Sequence, residues 1–293
     1  MFGLGGEFWY DHCGACGGVQ LRDVPEDLGP FYPENYYAFS SASGFGAVLR
    51  TTIRRVRDAF VFSRAGRFGR WIEPLLSPGM IRLRTWLERS GATRESRILD
   101  VGCGTGASLR RLVDQGFSHV LGVDPFIDES IFHRGRLLVL KGMLDEVSGE
   151  WDLIMFHHSL EHIEDQRRTI AEVARRLAPD GCCLIRIPIV SSYAWEEYQD
   201  RWVQLDAPRH LMLHSLESMN RLAEGAGLRV DAVVHDSSAF QFEGSELYRL
   251  DRPLSELSPA TYTSAQRREF AARARQLNAE GRGDQAEFYL RRA

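Results

Sequence analysis

The feature that most constrains the fold is a glycine loop near residue 100, which stands between an apolar run and a predicted helix. The run over 97–101 is typical of a short strand, and its Asp100 precedes three glycines at alternate positions, Gly102, Gly104 and Gly106. Glycine lets the backbone turn sharply and approach a ligand closely, and the N-terminus of the next helix offers free N–H groups. This order of elements predicts a ligand-binding α/β domain.

Strands and helices alternate through the rest of the chain. Periodicity predicts helices over 105–115, 165–177 and 216–225, and strands over 119–124, 137–141, 151–156, 182–187, 229–234 and 238–242. Strands that alternate with helices form a doubly wound sheet. We therefore predict an α/β protein with a Rossmann-like, mostly parallel sheet of seven strands and an N-terminal helical extension.

Composition divides the chain of 293 residues into three regions. Residues 1–95 form an N-terminal extension, in which an entry rich in aromatic residues and glycine leads into arginine-rich helices; residues 96–250 form the ligand-binding domain, and residues 251–293 form a helical tail. Ten arginines lie between Arg50 and Arg89. We interpret them as the solvated face of amphipathic helices, in preference to a peripheral contact with anionic lipid.

Charge and cysteine content restrict the class of protein further. The net charge of −4 gives no general attraction for nucleic acid, and the odd number of cysteines, five, does not indicate a disulfide framework. No apolar run approaches the ~20 residues that would span a bilayer, and no signal peptide is visible. We expect a cytoplasmic protein, and the sequence leaves its oligomeric state open.

The spacing of the three glycines distinguishes between two kinds of ligand. Dinucleotide-binding turns use G-x-G-x-x-G, whereas this chain has D-x-G-x-G-x-G. The latter resembles the first motif of class I methyltransferases that bind S-adenosylmethionine (SAM). By this resemblance the loop from Asp100 to Gly106, with Cys103, would pass under the methionine portion, and Asp124 would hold the ribose. The other predicted cofactor contacts also follow strand ends, and they are Pro125, Met143, Leu144 and His157.

Histidines follow the predicted strand over 151–156, where a parallel sheet presents its active-site edge. His158, Glu161 and His162 stand at positions i, i+3 and i+4, so one face of a helical turn could carry a general base, or a metal with nitrogen and oxygen ligands. A similar loop in quinone-type O-methyltransferases has an acid in the place of His158 that helps to hold a divalent cation. Because an imidazole stands there, we predict no metal. The predicted catalytic residues are His158, His162 and His210.

Two alternatives remain for these residues and for the segment that follows. Leu-Glu-His before Ile or Val is widespread in the superfamily, so Glu161 and His162 could be architectural. Residues 193–214 occupy the position of a substrate lid, and mixed aromatic and polar walls hold sugars and ring systems, but the same residues could anchor a structural crossover. The predicted substrate contacts are Tyr193, Trp195, Trp202, Arg209 and His214.

The N-terminal entry carries a further resemblance. Cys13-Gly-Ala-Cys16 is a single cysteine knuckle, and a four-ligand zinc site needs two. With the aromatic residues over 8–10 and 32–37, this entry resembles a group of bacterial methyltransferases, methyltransferase-23-like, that is common in polysaccharide and secondary-metabolite gene clusters. Many members begin with a complete knuckle, so we interpret Cys13 and Cys16 as a metal-free remnant of a zinc ribbon.

The resemblance implies a SAM-dependent methyltransferase that methylates a hydroxyl of a sugar or glycan precursor, with a histidine as general base. Alternatives are a small phenolic, quinone or natural-product acceptor, or a SAM-binding assembly partner without catalysis. Methylation of nucleic acid is disfavoured, because Phe156-His-His-Ser stands where Asn/Asp-Pro-Pro-Tyr would be expected.

Overall fold

The computed structural model describes residues 6–32 and 78–293. The helices are α1 Pro78–Ser90, α2 Ala107–Asp114, α3 Gln166–Arg176, α4 Tyr193–Tyr198, α5 Leu216–Glu224, α6 Phe240–Arg249 and α7 Ser264–Ala279. The strands are β1 Tyr10–His12, β2 Val19–Leu21, β3 Ile98–Val101, β4 Val120–Asp124, β5 Ile131–His133, β6 Arg136–Lys141, β7 Trp151–His157, β8 Leu177–Pro188, β9 Met212–Leu213, β10 Leu228–His235 and β11 Gln285–Arg292.

The central sheet has eight strands in the order β10-β11-β8-β7-β3-β4-β6-β5, and β1, β2 and β9 form a separate three-stranded sheet. The pairs β3/β4, β3/β7 and β4/β6 are parallel, while β5/β6 and β10/β11 are antiparallel. Val101 pairs with Val123 and with Phe156, so β3, β4 and β7 end at about the same level. The predicted Rossmann-like, mostly parallel architecture is confirmed.

The chain divides into two compact units. The histidine unit consists of Met1–Glu34, His157–Ala174 and Ile185–Ala293, and the loop unit consists of Asn35–Phe156 and Arg175–Leu184. These bounds do not coincide with the predicted divisions at residues 95 and 250. The glycine loop belongs to the loop unit, whereas the three predicted catalytic histidines belong to the histidine unit.

Each unit has its own apolar core. In the loop unit, Ile98 of β3 and Leu153 of β7 are fully buried, as are Leu109 and Leu112, which lie three residues apart on one face of α2. In the histidine unit the core is built around Trp202 and packs residues of the N-terminal hairpin with residues of α4, α6 and α7: Val19, Val190, Ala194, Tyr198, Leu213, Phe242, Ala274 and Leu277. Burial of each large apolar side chain contributes about 1.5–3 kcal/mol.

Two predictions for the C-terminal part are wrong, and two strands of the central sheet, β5 and β11, are not among the predicted ones. Residues 238–242 lead into α6 rather than forming a strand, and the end of the predicted helical tail is strand β11 of the central sheet. Glu287 interrupts the apolar sequence pattern of β11. In the structure this residue is buried, and its carboxylate accepts a hydrogen bond of 2.8 Å from the hydroxyl of Tyr289. Pairing with β10 therefore outweighs the local pattern. With the short edge strand β5, the sheet has eight strands rather than seven.

The arginine-rich segment is described only in part. Helix α1 is its final stretch, and the helices predicted before it, over 46–77, lie outside the described residues, as does most of the aromatic motif over 32–37. Within the two described ranges, no helix is both long enough and apolar enough to cross a membrane.

Candidate active site

The glycine loop connects β3 to α2 through three left-handed residues. Gly102, Gly104 and Gly106 have φ values of +71°, +53° and +73°, which other residues adopt only with strain. A Cβ atom on Gly106 would lie 2.6 Å from Cγ2 of Val139. The loop therefore needs glycine both for its conformation and for its close approach to β6. Because glycine has no side chain, a ligand could approach the loop backbone next to the N-terminus of α2.

Two buried acids flank this loop. Asp124, at the end of β4, accepts hydrogen bonds from the amides of Gly104 (2.7 Å) and Phe126 (2.9 Å), one at each carboxylate oxygen. Each oxygen keeps a second lone pair that can accept from a ribose hydroxyl. Asp100 lies within β3, where burial, reinforced by the neighbouring charge of Asp124, raises its pKa to about 7. The backbone cradle and the acid at the end of β4 together fit SAM.

The remaining predicted cofactor residues differ in exposure. Met143 is 54% exposed and Leu144 is buried, and both lie just after β6, where the amide of Gly142 donates to the carbonyl of Asp124. Cys103 is half-buried, and burial raises the pKa of its thiol, so it is a neutral thiol in the loop. Pro125 and His157 are half-buried at the ends of β4 and β7. Only Met143 presents a largely accessible side chain among these residues.

In the histidine unit, His158 is held through its backbone and through one ring nitrogen. Its backbone is left-handed, with φ +53°, and its amide donates to the carbonyl of Arg186 (2.9 Å). Nη1 of Arg186 lies 2.6 Å from Nε2, and Nδ1 lies 3.3 Å from Oε1 of Glu161. A guanidinium can only donate, so Nε2 accepts and the proton of the neutral ring is on Nδ1. This geometry does not favour His158 as the general base, because its lone pair is already engaged.

His162 and His210 are held differently. Nδ1 of His162 lies 2.8 Å from the carbonyl oxygen of Arg209, and Nδ1 of His210 lies 2.7 Å from that of Gln204. A carbonyl oxygen can only accept, so each Nδ1 carries the proton and each Nε2 keeps its lone pair. Burial lowers the pKa of both imidazoles to about 4. Both rings are therefore neutral at pH 7, with a fixed tautomer, and their centroids lie 4.8 Å apart.

The N-terminal segment and the segment over 204–210 surround these rings. Asp206 and Arg209 form a buried ion pair, and burial raises the pKa of Asp206 to about 6. The hydroxyl of Tyr32 lies 3.3 Å from Nδ1 of His162, and the hydroxyl of Tyr10 donates to the carbonyl of His210 (2.9 Å). The histidine pair therefore belongs to a buried polar cluster whose residues come from distant parts of the chain.

Trp202 and His214, two of the predicted substrate contacts, are buried anchors. Trp202 is 0% exposed, and its indole N–H donates to Asp284 (3.0 Å). His214 is buried, with its ring nitrogens 2.9 Å from the hydroxyl of Ser218 and 2.6 Å from Oε1 of Gln166. Both support the alternative of a structural crossover. Arg209 is likewise buried against Asp206.

Tyr193 and Trp195, on α4, are half-buried and pack against the core around Trp202. Arg273 and Arg282 lie over the ring of Tyr193, at 4.6 Å and 5.5 Å from its centroid. Of the five predicted substrate contacts, these two aromatic residues keep the most accessible surface.

Arg186 is a site residue that the sequence analysis missed. Besides contacting His158, its guanidinium donates to Asp236 (2.7 Å). The sequence does indicate that Arg186 has a special role, because it is a charged residue within the apolar run of β8. A charge inside a buried strand requires a partner. The sequence could not indicate which partner, because Asp236 lies fifty residues further along the chain.

The cysteine knuckle forms the turn between β1 and β2. The amide of Cys13 donates to the carbonyl of Gly18, and the amide of Gly17 donates to that of Cys13. Backbone hydrogen bonds from Ala15 and Cys16 lower the pKa of the exposed Cys13 thiol. The two thiols are free.

Comparison with known proteins identifies the family of the chain. Residues 68–233 match a family model described as a methyltransferase domain. A ubiquinone biosynthesis O-methyltransferase of Aromatoleum aromaticum is 27% identical over 122 residues, covering 37% of this chain and 50% of that protein. A trans-aconitate 2-methyltransferase of Deinococcus radiodurans is 28% identical over 105 residues, covering 34% and 40%. The chain thus spans about half the length of these curated relatives, or less.

A solved SAM-dependent methyltransferase of Archaeoglobus fulgidus superposes with a TM-score of 0.47 and 20% identity, over 78% of this chain and all of that one. The sheet order, the left-handed glycines and the acid at the end of β4 fit a class I SAM-binding fold. The family match covers more than half of the chain, so the protein belongs to the methyltransferase-23 family.

Proposed function

We propose that the protein transfers the methyl group of SAM to a hydroxyl of a small acceptor that binds beside His162 and His210. The observation that carries this proposal is the state of the two rings, which are neutral, tautomerically fixed and buried, each with an Nε2 lone pair. Methyl transfer needs the nucleophile, methyl carbon and sulfur in line, and a hydroxyl must also lose its proton. Nitrogen and sulfur acceptors need less help of this kind.

The glycine loop would bind the methyl donor. When bound, SAM supplies an electrophilic methyl group. Asp124 would hold the ribose by accepting hydrogen bonds, and the left-handed glycines would let the methionine portion lie against the backbone. These are binding and orienting roles, so substitutions there should change SAM affinity first.

We infer a sugar or glycan precursor as the first acceptor class to test, because the N-terminal entry resembles methyltransferases of polysaccharide gene clusters. A phenol or quinone precursor is the second candidate, and the similarity to the ubiquinone biosynthesis O-methyltransferase of Aromatoleum aromaticum favours it. Tyr193 and Trp195 suit either class, since both sugar rings and phenols stack on aromatic side chains.

Labelled methyl transfer tests the proposal directly. Purified protein and methyl-labelled SAM are incubated with nucleotide sugars, phenols, and matched acceptors in which the hydroxyl is replaced by hydrogen. We expect label in a hydroxyl-bearing acceptor and none in its deoxy partner. Transfer to an amine or a carbon acceptor, with none to any hydroxyl, would contradict the proposal.

A further inference from the structure

Glu161 presents an unusual buried carboxylate. It lies in the short helical turn Leu160–His162 and is 0% exposed. Neither of its oxygens has a hydrogen bond within the described part of the chain, and its contact with His158, at 3.3 Å, lacks hydrogen-bond geometry. Native structures leave few buried polar atoms unsatisfied, so this group indicates a partner that is not a side chain of the described residues.

Full burial leaves Glu161 without solvent to stabilise a negative charge. A buried carboxylate in the ionised form is costly unless it is paired or coordinates a metal. No arginine or lysine pairs with it among the ion pairs of the described residues.

The two neighbouring histidines have the arrangement of metal ligands. Metal-bound imidazoles usually donate their other N–H to a carboxylate, a backbone carbonyl or water, which fixes the tautomer and the orientation of the ring. His162 and His210 each donate Nδ1–H to a backbone carbonyl, at 2.8 Å and 2.7 Å. One nitrogen from each ring and one oxygen of Glu161 lie within 4.8 Å of one another.

We propose that Glu161, His162 and His210 bind a divalent transition-metal ion of the zinc type. A tetrahedral ion with bonds of about 2.1 Å needs donor atoms about 3.4 Å apart, so side-chain shifts on the order of 1 Å would complete the site. Asp206 lies alongside, with Oδ2 at 3.8 Å from Nε2 of His210, while its Oδ1 is buried without a hydrogen bond. A fourth ligand is therefore at hand.

The ligand set of Glu161, His162 and His210 favours some metals over others. It differs from the set that the sequence spacing places on one helical turn, which has His158 in place of His210. Two imidazoles and a carboxylate suit Zn²⁺, Fe²⁺ or Co²⁺, whereas Mg²⁺ prefers oxygen ligands and water. His158 is not a ligand, because its Nε2 accepts from Arg186 and its Nδ1 carries a proton. The third ligand is His210 instead, which lies 48 residues beyond His162 and is placed by the segment over 204–210.

The chemical role of the ion rests on the proposed function. With their Nε2 lone pairs on the ion, His162 and His210 would not take the hydroxyl proton themselves; the ion would instead lower the pKa of the acceptor hydroxyl, and the proton would pass to water. The oxygen would then bond to the methyl carbon as the carbon–sulfur bond of SAM breaks, which leaves S-adenosylhomocysteine. Metal binding itself needs neither SAM nor acceptor and can be tested alone.

The test titrates Zn²⁺ and Co²⁺ into chelator-treated protein by calorimetry and visible absorption. The parent carries Cys13→Ser and Cys16→Ser, since exposed thiols would bind the same ions. We expect one ion per chain and a Co²⁺ spectrum of nitrogen and oxygen ligands. His210→Gln and Glu161→Gln should each weaken affinity at least about 10-fold, since even outer partners of metal ligands matter by 10–100-fold. The control is His119→Gln, at an exposed position in the loop unit.

Thermal unfolding distinguishes a variant that has lost a metal ligand from a variant that no longer folds. A bound ion stabilises the native state, so Zn²⁺ should raise the melting temperature of the parent and of His119→Gln but not that of a folded Glu161→Gln. Mg²⁺ should leave all three unchanged. The inference is overturned if the parent binds no ion, or if both cluster variants bind as tightly as the control. Metal binding without transfer to any hydroxyl would instead refute only the proposed function.

Discussion

The glycine loop and the histidine cluster, which comprises Glu161, His162 and His210, are both candidate sites, but they are built by opposite means. The loop is specified within seven consecutive residues, and its geometry comes from backbone angles that glycine tolerates. The cluster takes residues from separate segments, and its geometry comes from burial and from carbonyl groups that fix two imidazole tautomers. A local site can be identified from its spacing, whereas a distributed site becomes visible only when its parts are placed together.

The largest expected effect tests the cluster. His210→Gln should lower the rate of methyl transfer by about 10²–10⁴-fold, the usual contribution of assisted proton removal, because the acceptor hydroxyl would lose the proposed ion that lowers its pKa. The affinity for SAM should stay within about twofold. Steady-state kinetics with the acceptor and calorimetry with SAM measure the two effects. His158→Gln should lower the rate of methyl transfer less, because the Nε2 lone pair of His158 already accepts from Arg186. Equal losses in the two variants would contradict the distinction between these histidines.

The next prediction tests the loop. Gly106→Ala should lower the free energy of unfolding by about 2–5 kcal/mol, from the left-handed φ and from overlap with Val139. Gly149→Ala is the matched control, because Gly149 has φ +90° but no atom within 4 Å of its Cβ position. It should cost only about 1–2 kcal/mol. Urea denaturation measures both, and equal losses would show that close approach to β6 is unimportant.

A smaller effect is expected at the acid that follows the loop. Asp124→Asn should weaken SAM binding about 10- to 100-fold, since hydrogen bonds to charged groups contribute about 1.5–3 kcal/mol each. Asp128→Asn provides the comparison, because Asp128 is exposed and Lys141 contacts its backbone carbonyl. Calorimetry with SAM gives both constants. Unchanged affinity in Asp124→Asn would remove the ribose assignment.

The smallest effect is a pH dependence. The pKa of Asp100 is about 7 in the folded protein and about 3.9 in the unfolded chain, so the folded state holds more protons between these values. Its contribution to stability is therefore present at low pH and is lost as the pH rises towards 7. Asp100→Asn should flatten the fall in unfolding free energy by about 1 kcal/mol per pH unit over pH 5–6.5. Denaturation series without SAM would measure it, and parallel slopes would contradict the raised pKa.

Much of the fold follows from local patterns. The strands around the loop, helices α2, α3 and α5, and the parallel order agree with periodicity, because apolar runs and amphipathic spacing there match the burial that the sheet imposes. Strand β11 could not be predicted in this way, since its polar Glu287 is satisfied by Tyr289 two residues on and its pairing partner lies far back in the chain.

The candidate site residues likewise fall into those that local sequence predicts and those that only the fold brings together. Sequence alone predicted the glycine loop and the acid after β4 as the site for SAM, because three glycines at alternate positions favour a sharp turn that approaches a ligand closely. Tertiary structure decided that Trp202 and His214 are anchors and that Arg186 engages His158. It also decided that His210 joins Glu161 and His162. The physical reason is that burial and proton position are properties of an environment, and that environment is assembled from segments that the order of residues does not connect.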